Sequence, residues 1–216
     1  MVVSTGLQKL DKFLPGGIPG GVITDVFGAN GTGKTQMLLQ LAASSVRDGG
    51  RVLYIDTTGK FRPERIVEIQ RQSGAEPDLD RITVSRITNT SEQIKSAENM
   101  SDFSLIVIDS VTDLFTYEYA GKESALERNS LFMKYMRTLS KITTSKGMPV
   151  IITNTVRTVG ETEFENMKSA IDPFTHIKIR LSHIGNKFHG RVCWALGGED
   201  FVYKIGSPGL YDPQDI

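Results

Sequence analysis

The stretch GANGTGKT, residues 28–35, constrains the fold and the chemistry of this chain more than any other segment. It matches the pattern G-x-x-x-x-G-K-[ST] at every position. An apolar, strand-like run (21–28) leads into it, and a helical pattern that ends in glycines (32–50) follows. Glycines let backbone N–H groups close around phosphate oxygens, and a helix N-terminus adds a positive dipole end. The motif therefore predicts a loop that binds nucleotide phosphates.

The side chains of this loop and one downstream acid predict a site for ATP and Mg²⁺. Lys34 is expected to reach the β- and γ-phosphates, and the Thr35 hydroxyl to ligate Mg²⁺. Asp109 ends the apolar run FSLIVIDS (103–110) and matches the acid that holds the Mg²⁺ shell in phosphate-loop proteins. The predicted metal residues are thus Thr35 and Asp109. The predicted ATP-binding residues are Gly28, Ala29, Asn30, Gly31, Thr32, Gly33, Lys34 and Thr35.

Short apolar runs alternate with helical patterns along the chain, which predicts an α/β fold with a mainly parallel sheet and right-handed crossovers. Strands are predicted at 21–28, 51–57, 81–87, 103–110 and 148–155, and helices at 32–50, 62–74, 91–100 and 122–146. Further strands, joined by short turns, are predicted at 176–184, 191–197 and 201–206. These last strands predict an antiparallel C-terminal extension at one edge of the sheet. We expect one domain over residues 1–216.

Composition limits the class of protein. Lys plus Arg total 25 and Asp plus Glu total 25, so only local clustering of charge can favour a nucleic acid. A single cysteine, Cys193, excludes a disulfide framework and fits a reducing cytoplasm. No apolar run approaches the roughly 18 residues that a membrane span needs, and the N-terminus lacks the apolar segment of a signal peptide. We expect a cytoplasmic protein with no membrane partner; nucleoid association is left open.

Several stretches of the chain resemble the RecA/RadA recombinase family, in particular its archaeal RadB-like DNA repair and recombination paralogues. Residues 4–36 resemble the opening of that core, and YIDTTGKFRPERI (54–66) resembles the family stretch Asp-Thr-Glu-Gly-x-Phe-x-Pro-Glu-Arg. The segments 106–115 and 148–156 fit the third and fourth core strands. The resemblance implies a RecA-like P-loop NTPase core that binds ATP and Mg²⁺.

Two positions depart from the pattern of that family. Thr58 stands where the resemblance places the catalytic glutamate that activates the attacking water, and a threonine hydroxyl is no general base at neutral pH. Thr155 stands where the resemblance places the glutamine that senses the γ-phosphate. Asp56 and Glu64 are nearby acids that could substitute, although neither is at the matching position. We therefore assign no catalytic residue and expect weak or no ATP hydrolysis.

The expected function follows from these matches and departures. The core begins at about Ser4, so we expect the family's N-terminal helix-hairpin-helix domain and its filament-forming segment to be absent. The resemblance then implies an ATP-binding, DNA-binding accessory or mediator of homologous recombination and repair, without strand exchange of its own. The expected partners are DNA, preferentially single-stranded, and a recombinase or another RecA-like protein. The oligomeric state stays open.

Basic residues gather in the predicted C-terminal hairpin and suggest a DNA surface. They are His176, Lys178, Arg180, His183, Lys187, His189 and Arg191. If 187–191 is extended, Lys187, His189 and Arg191 share one face and suit contacts with phosphates. An ordinary solvated edge strand is the alternative, since lysines there also oppose aggregation.

Arg157 is a further DNA candidate, within the segment 156–173 that matches the family's central DNA-binding loop. Glu161, Glu163 and Glu165 lie in the same segment and make it a poor surface for a phosphate backbone. A nucleotide-gated protein-interaction module without a DNA role is therefore an alternative function. A KaiC-like signalling ATPase is another, although such ATPases lack the stretch Phe61–Arg65.

Overall fold

The structure is a computed structural model that describes residues 1–100, 102–160, 162–194 and 197–213, apart from the side chains of Asn99 and Trp194. The strands are β1 (Val2–Val3), β2 (Ile18–Pro19), β3 (Ile23–Gly28), β4 (Val52–Asp56), β5 (Ile82–Arg86), β6 (Leu105–Asp109), β7 (Val150–Val159), β8 (Thr162–Glu165), β9 (Thr175–Ile184), β10 (Lys187–Trp194), β11 (Gly197–Gly206) and β12 (Gly209–Tyr211). The α-helices are α1 (Gln8–Phe13), α2 (Lys34–Arg47), α3 (Pro63–Gln72), α4 (Thr90–Ser96), α5 (Asp113–Glu118), α6 (Ala125–Lys146) and α7 (Lys168–Ile171). Two 3₁₀ turns lie at Ala97–Asn99 and Asp172–Phe174.

One large sheet organises the described chain, with strand order β12-β11-β10-β9-β3-β7-β6-β4-β5 and with β8 paired to β7. The strands from β9 to β5 are parallel, whereas β10, β11 and β12 continue the sheet in antiparallel fashion. This arrangement confirms the predicted α/β class with an antiparallel C-terminal extension. The extension begins one strand later than expected, because β9 pairs in parallel with β3.

Helices cover both faces of the sheet, and the pattern of β6 explains why. Every residue of β6 is buried. Since strand side chains alternate, Leu105 and Val107 join the apolar cluster under α2 and α3, whereas Ile106 and Ile108 join the cluster under α5 and α6. A strand that is apolar on both faces is typical of the centre of a parallel sheet.

The parallel register brings the functional segments to one edge of the sheet. Gly28 at the end of β3 lies opposite Thr155 in β7, and Asp56 at the end of β4 lies opposite Asp109 at the end of β6. Ligands of open α/β sheets bind at such carboxyl ends. The phosphate loop, the turn after β4 and the predicted Mg²⁺ acid therefore meet there.

Some elements differ from the sequence predictions. The predicted helix 122–146 begins at Ala125, and the separate helix α5 precedes it. The fourth core strand continues to Val159 and pairs with the unpredicted strand β8. The predicted strand 191–197 is β10, which begins at Lys187; residues 195 and 196 lie outside the described residues. Within the described ranges, the structure contains no helix long and apolar enough to cross a membrane.

Candidate nucleotide-binding site

The phosphate loop joins the end of β3 to the start of α2, and its backbone requires glycine. Gly33 caps α2 with a φ of 92°, a left-handed conformation that glycine adopts without strain. A Cβ at Gly28 would collide with the Leu181 carbonyl oxygen of β9. By contrast, a Cβ built at Gly31 meets no atom within 4 Å, so the mouth of the loop is open. The loop therefore fits a phosphate group, with α2 contributing its N-terminal N–H groups.

Lys34 folds back over this loop. Its ammonium donates hydrogen bonds to the carbonyl oxygens of Gly28 at 2.8 Å and Ala29 at 2.9 Å. Burial is the main cause that lowers the pKa of Lys34, while the carboxylate of Asp109 opposes that shift. Phosphate oxygens could replace the two carbonyl partners, because an ammonium has three donors and no geometric preference for a carbonyl.

Asp109 and Thr35 form the predicted Mg²⁺ pair. The Thr35 hydroxyl donates to one oxygen of Asp109 at 2.7 Å. Tyr54 donates to the same oxygen at 3.2 Å, and Thr153 donates to the other at 2.6 Å. Carboxylate and hydroxyl oxygens are ligands and outer-shell partners that Mg²⁺ prefers, so these residues fit the metal. Sequence reasoning missed Tyr54 and Thr153, although both are polar residues within predicted buried strands.

A cleft of about 440 Å³ opens beside the loop. Its walls include Lys34, Thr35, Thr58, Lys60, Asp109 and Asp113. Thr58 thus faces the site at the position where the resemblance expects the acid. Among the described residues, the carboxylates that line this cleft are Asp109 and Asp113.

Asp56 does not reach the cleft as a substitute acid. One of its oxygens accepts hydrogen bonds from the N–H groups of Thr58 at 3.0 Å and Gly59 at 2.7 Å. The other accepts from the N–H of Phe61 at 3.2 Å and pairs with Arg86 at 3.2 Å. These contacts commit the carboxylate to folding the turn. Glu64, the other acid considered, is exposed on α3 and lies outside the residues that line the cleft.

Asp113 is an acid of the cleft that sequence reasoning missed. It is the first residue of α5, and the Ser110 hydroxyl donates to it at 2.8 Å. The only local signal was its position four residues after Asp109 in the stretch DSVTD. The six-residue helix α5 is too short to show a reliable helical period.

The cleft connects to the β7–β8 hairpin through Asn154. Thr155, at the expected glutamine position, lines the cleft, and its N–H donates to the Asn154 side chain at 2.9 Å. The amide of Asn154 in turn donates to Glu165 at 3.2 Å and to the Asn166 carbonyl at 2.8 Å. A buried polar chain thus joins the nucleotide cleft to the segment that resembles a DNA-binding loop.

The DNA candidates lie on two separate surfaces. Lys187, His189 and Arg191 point to one face of β10, because that segment is extended. Arg191 pairs with Asp200 of β11 at 3.3 Å, which offsets part of its charge. Arg157 is exposed on β7 and lines a different groove. That groove also contains the cations Arg128 and Lys168.

The basic cluster of the C-terminal hairpin is smaller than the sequence suggested. Lys178 is mostly buried and pairs with Glu165 and Asp172, each at 2.6 Å, and with Asp25 at 3.5 Å. Burial lowers the pKa of Lys178, but these carboxylates outweigh burial and raise it above the ordinary value. Lys178 is therefore a structural cation. Glu161, the first of the three acids noted in the segment 156–173, lies outside the described residues.

Comparison with known proteins gives consistent matches. The sequence profile of the Rad51 family matches residues 1–181. The chain is 36% identical over 244 residues to the "DNA repair and recombination protein RadA" of Cenarchaeum symbiosum, covering 99% of this chain and 59% of that protein. It is 31% identical over 244 residues to the "DNA repair protein rhp51" of Schizosaccharomyces pombe, covering 100% of this chain and 66% of that protein.

A third relative is the "DNA repair and recombination protein RadA" of Ignicoccus hospitalis, 31% identical over 241 residues, with 99% of this chain and 73% of that protein covered. The chain spans less than two thirds of the length of the first two relatives. The profile covers most of the chain, and the similarity to RadA and rhp51 extends over its whole length. The chain therefore belongs to the Rad51 family and has the RecA/RadA-type recombinase core that its sequence predicted.

Proposed function

We propose that this chain binds ATP–Mg²⁺ and DNA, and assists a recombinase in DNA repair and homologous recombination, with weak or no ATP hydrolysis and no strand exchange of its own. The observation that supports this proposal is the pairing of an intact phosphate and metal site with Thr58 at the catalytic position. The names of two relatives mention DNA repair, which supports a role of this chain in that process. We assign residues 1–216 to a single RecA-like ATP-binding core domain.

Binding and catalysis separate in this site. The backbone of the phosphate loop and Lys34 bind the phosphates, while Thr35 and Asp109 hold Mg²⁺. The metal, when bound, neutralises phosphate charge and orients the leaving group. Loss of a positioned general base typically slows a reaction by about 10²- to 10⁴-fold. Among the described residues, Asp109 and Asp113 are the carboxylates that line the cleft. Because Asp109 is assigned to Mg²⁺, Asp113 is the one that could act as a general base in residual hydrolysis.

DNA binding is assigned to local cations, because the formal net charge is +0. Lys187, His189 and Arg191 form a strip on β10, and Arg157 is exposed on β7. Such side chains contact phosphates without reading sequence. We also propose that the chain prefers single-stranded DNA. Its partner would be a recombinase, for which it acts as a RadB-like mediator.

The nucleotide half of the proposal is tested by equilibrium binding of a fluorescent ATP analogue with Mg²⁺. Lys34→Ala should weaken binding by about 10- to 100-fold, because a charge-assisted hydrogen bond is worth about 1.5–3 kcal/mol. Lys141→Ala, at an exposed position of α6, is the matched control and should bind like the wild type. Undetectable binding by the wild type would refute the proposal.

The DNA half is tested by measuring affinity for a single-stranded oligonucleotide at several salt concentrations. The affinity should fall steeply with salt, and Lys187→Ala combined with Arg191→Ala should reduce the slope by about one to two. Arg157→Ala, measured separately, tests the second surface. Slopes that neither substitution changes would remove both surfaces from the proposal.

A protein-interaction module gated by nucleotide, with no DNA role, is the second candidate. It is supported by ion pairs that offset the cations Arg180 and Arg191, through Glu163 and Asp200 respectively. The exposed apolar side chains Val159 and Phe164 on the β7–β8 hairpin also suit a protein contact. This candidate predicts no DNA retention even at low salt, together with an ATP-dependent protein complex. Membership of the Rad51 family speaks against a KaiC-like signalling ATPase.

A further inference from the structure

The turn after β4 presents a lysine to the nucleotide cleft. The Asp56 carboxylate fixes the backbone of this turn by accepting the N–H groups of Thr58, Gly59, Lys60 and Phe61. Asp56 is itself buried and paired with Arg86. The turn is therefore rigid at its base, and the direction in which Lys60 leaves it is set by the fold.

Within the described part of the chain, Lys60 differs from its cationic neighbours, since its ammonium forms no ion pair. The Arg62 guanidinium donates to the carbonyl oxygens of Gly59 and Phe61 within its own turn. Arg65 contacts Gln36, Glu68 and the carbonyl oxygens of residues 206 and 207. Among the described residues, no carboxylate forms an ion pair with the Lys60 ammonium.

Lys60 and Lys34 line the same cleft. Two ammonium groups that line one cleft repel each other. An anion between them would remove that repulsion and gain attraction from both charges, which is the usual reason for lysines to converge on a phosphate site.

The element that carries Lys60 bears on which phosphate it can contact. The loop backbone surrounds the α- and β-phosphates, and its lysine reaches the β- and γ-phosphates. Lys60 enters the cleft from the turn after β4 and not from the loop, so its ammonium suits a phosphate that the loop backbone does not surround. Thr58 belongs to the same turn and cannot repel an anion as a glutamate at that position would.

We propose that Lys60 binds the γ-phosphate and makes the site selective for nucleoside triphosphates over diphosphates. This inference rests on the proposed function and deepens it. The turn would act as a sensor of the terminal phosphate, where the family resemblance expects a hydrolytic group. The site is then suited to holding ATP.

The test compares the dissociation constants of ADP and of AMPPNP, an ATP analogue with a non-hydrolysable β–γ bridge, with Mg²⁺ present. Lys60→Ala should weaken AMPPNP binding by about tenfold and ADP binding by about twofold or less, because one charge-assisted contact is lost only with the triphosphate. Lys60→Arg should retain most of the selectivity. Lys141→Ala, on the exposed face of α6, is the control for removing a surface charge.

The outcomes separate this inference from the function on which it rests. Equal losses for both nucleotides, or no loss for either, would overturn the role of Lys60 while leaving nucleotide binding intact. A wild type that binds neither nucleotide would overturn the proposed function as well. The variant is expected to fold, since Lys60 is exposed, and an unchanged thermal unfolding midpoint verifies this.

Discussion

At the scale of single residues, neither Asp56 nor Thr58 supplies the acid that its position suggests. Asp56 is an acid at the end of a parallel strand, yet hydrogen bonds to its own turn and the pair with Arg86 occupy both carboxylate oxygens. Thr58 faces the cleft, but its hydroxyl donates to Asp56 at 3.2 Å. The turn therefore lines the cleft through Thr58 without presenting an acid to it.

Asp56→Ala should lower the free energy of unfolding by about 2–3 kcal/mol, because several N–H groups of the turn lose their acceptor. Urea denaturation measures this change. Asp78→Ala is the matched control, since Asp78 pairs with Arg81 at 3.0 Å and both side chains are exposed. An exposed pair contributes about 1 kcal/mol or less. Equal effects of the two substitutions would contradict the structural role of Asp56.

At the scale of elements, the C-terminal strands β9 and β11 pack against the phosphate loop. Tyr203 of β11 donates to the Thr32 carbonyl oxygen at 2.6 Å. A Cβ at Gly33 would lie 2.8 Å from the Ile205 side chain. The Leu181 carbonyl of β9 similarly leaves no room for a Cβ at Gly28. The C-terminal strands thus support the phosphate loop from outside.

Tyr203→Phe should cost about 1 kcal/mol of stability, because the substitution removes one buried hydrogen bond and preserves the ring. It should also weaken nucleotide binding by roughly two- to fivefold as Thr32 loses its partner. Calorimetric titration with the ATP analogue measures the second effect. Tyr117→Phe is the control, since Tyr117 is 83% exposed. If both variants bind the nucleotide alike, the extension does not tune the loop.

Asp25, in β3, makes the stability of the protein depend on pH. It is fully buried, and burial chiefly raises its pKa well above the ordinary value; Glu165 raises it further, whereas Lys178 opposes both. The folded state therefore binds this proton more tightly than the unfolded state does. By linkage, the contribution of Asp25 to stability falls as pH rises above the ordinary aspartate pKa.

Asp25→Asn should accordingly be at least as stable as the wild type at neutral pH, with the difference closing as the pH is lowered toward about 4. Lys178 keeps Glu165 and Asp172 as partners in that variant. Urea denaturation across this pH range measures the difference. A variant less stable by the same amount at every pH would indicate an ordinary packing defect.

At the scale of the whole molecule, local signals predicted the sheet and the phosphate loop. The apolar run of β6 and the motif at 28–35 each depend on neighbouring residues alone. The role of Lys178 could not be predicted, because its three carboxylate partners come from β3, β8 and the turn after α7. Asp113 was missed because α5 is short. The role of Asp56 in folding its turn was not predicted, because turn hydrogen bonds leave little trace in sequence.

The central claim is that this site binds ATP–Mg²⁺ with no acid at position 58 to activate water. The measurement that tests it most directly is steady-state ATP turnover, with single-stranded DNA present and absent, for the wild type, Thr58→Glu and the uncharged control Thr58→Gln. We predict slow or undetectable turnover for the wild type and Thr58→Gln, and a gain on the order of 10²- to 10⁴-fold for Thr58→Glu. Vigorous turnover by the wild type that Thr58→Glu does not raise would contradict the claim.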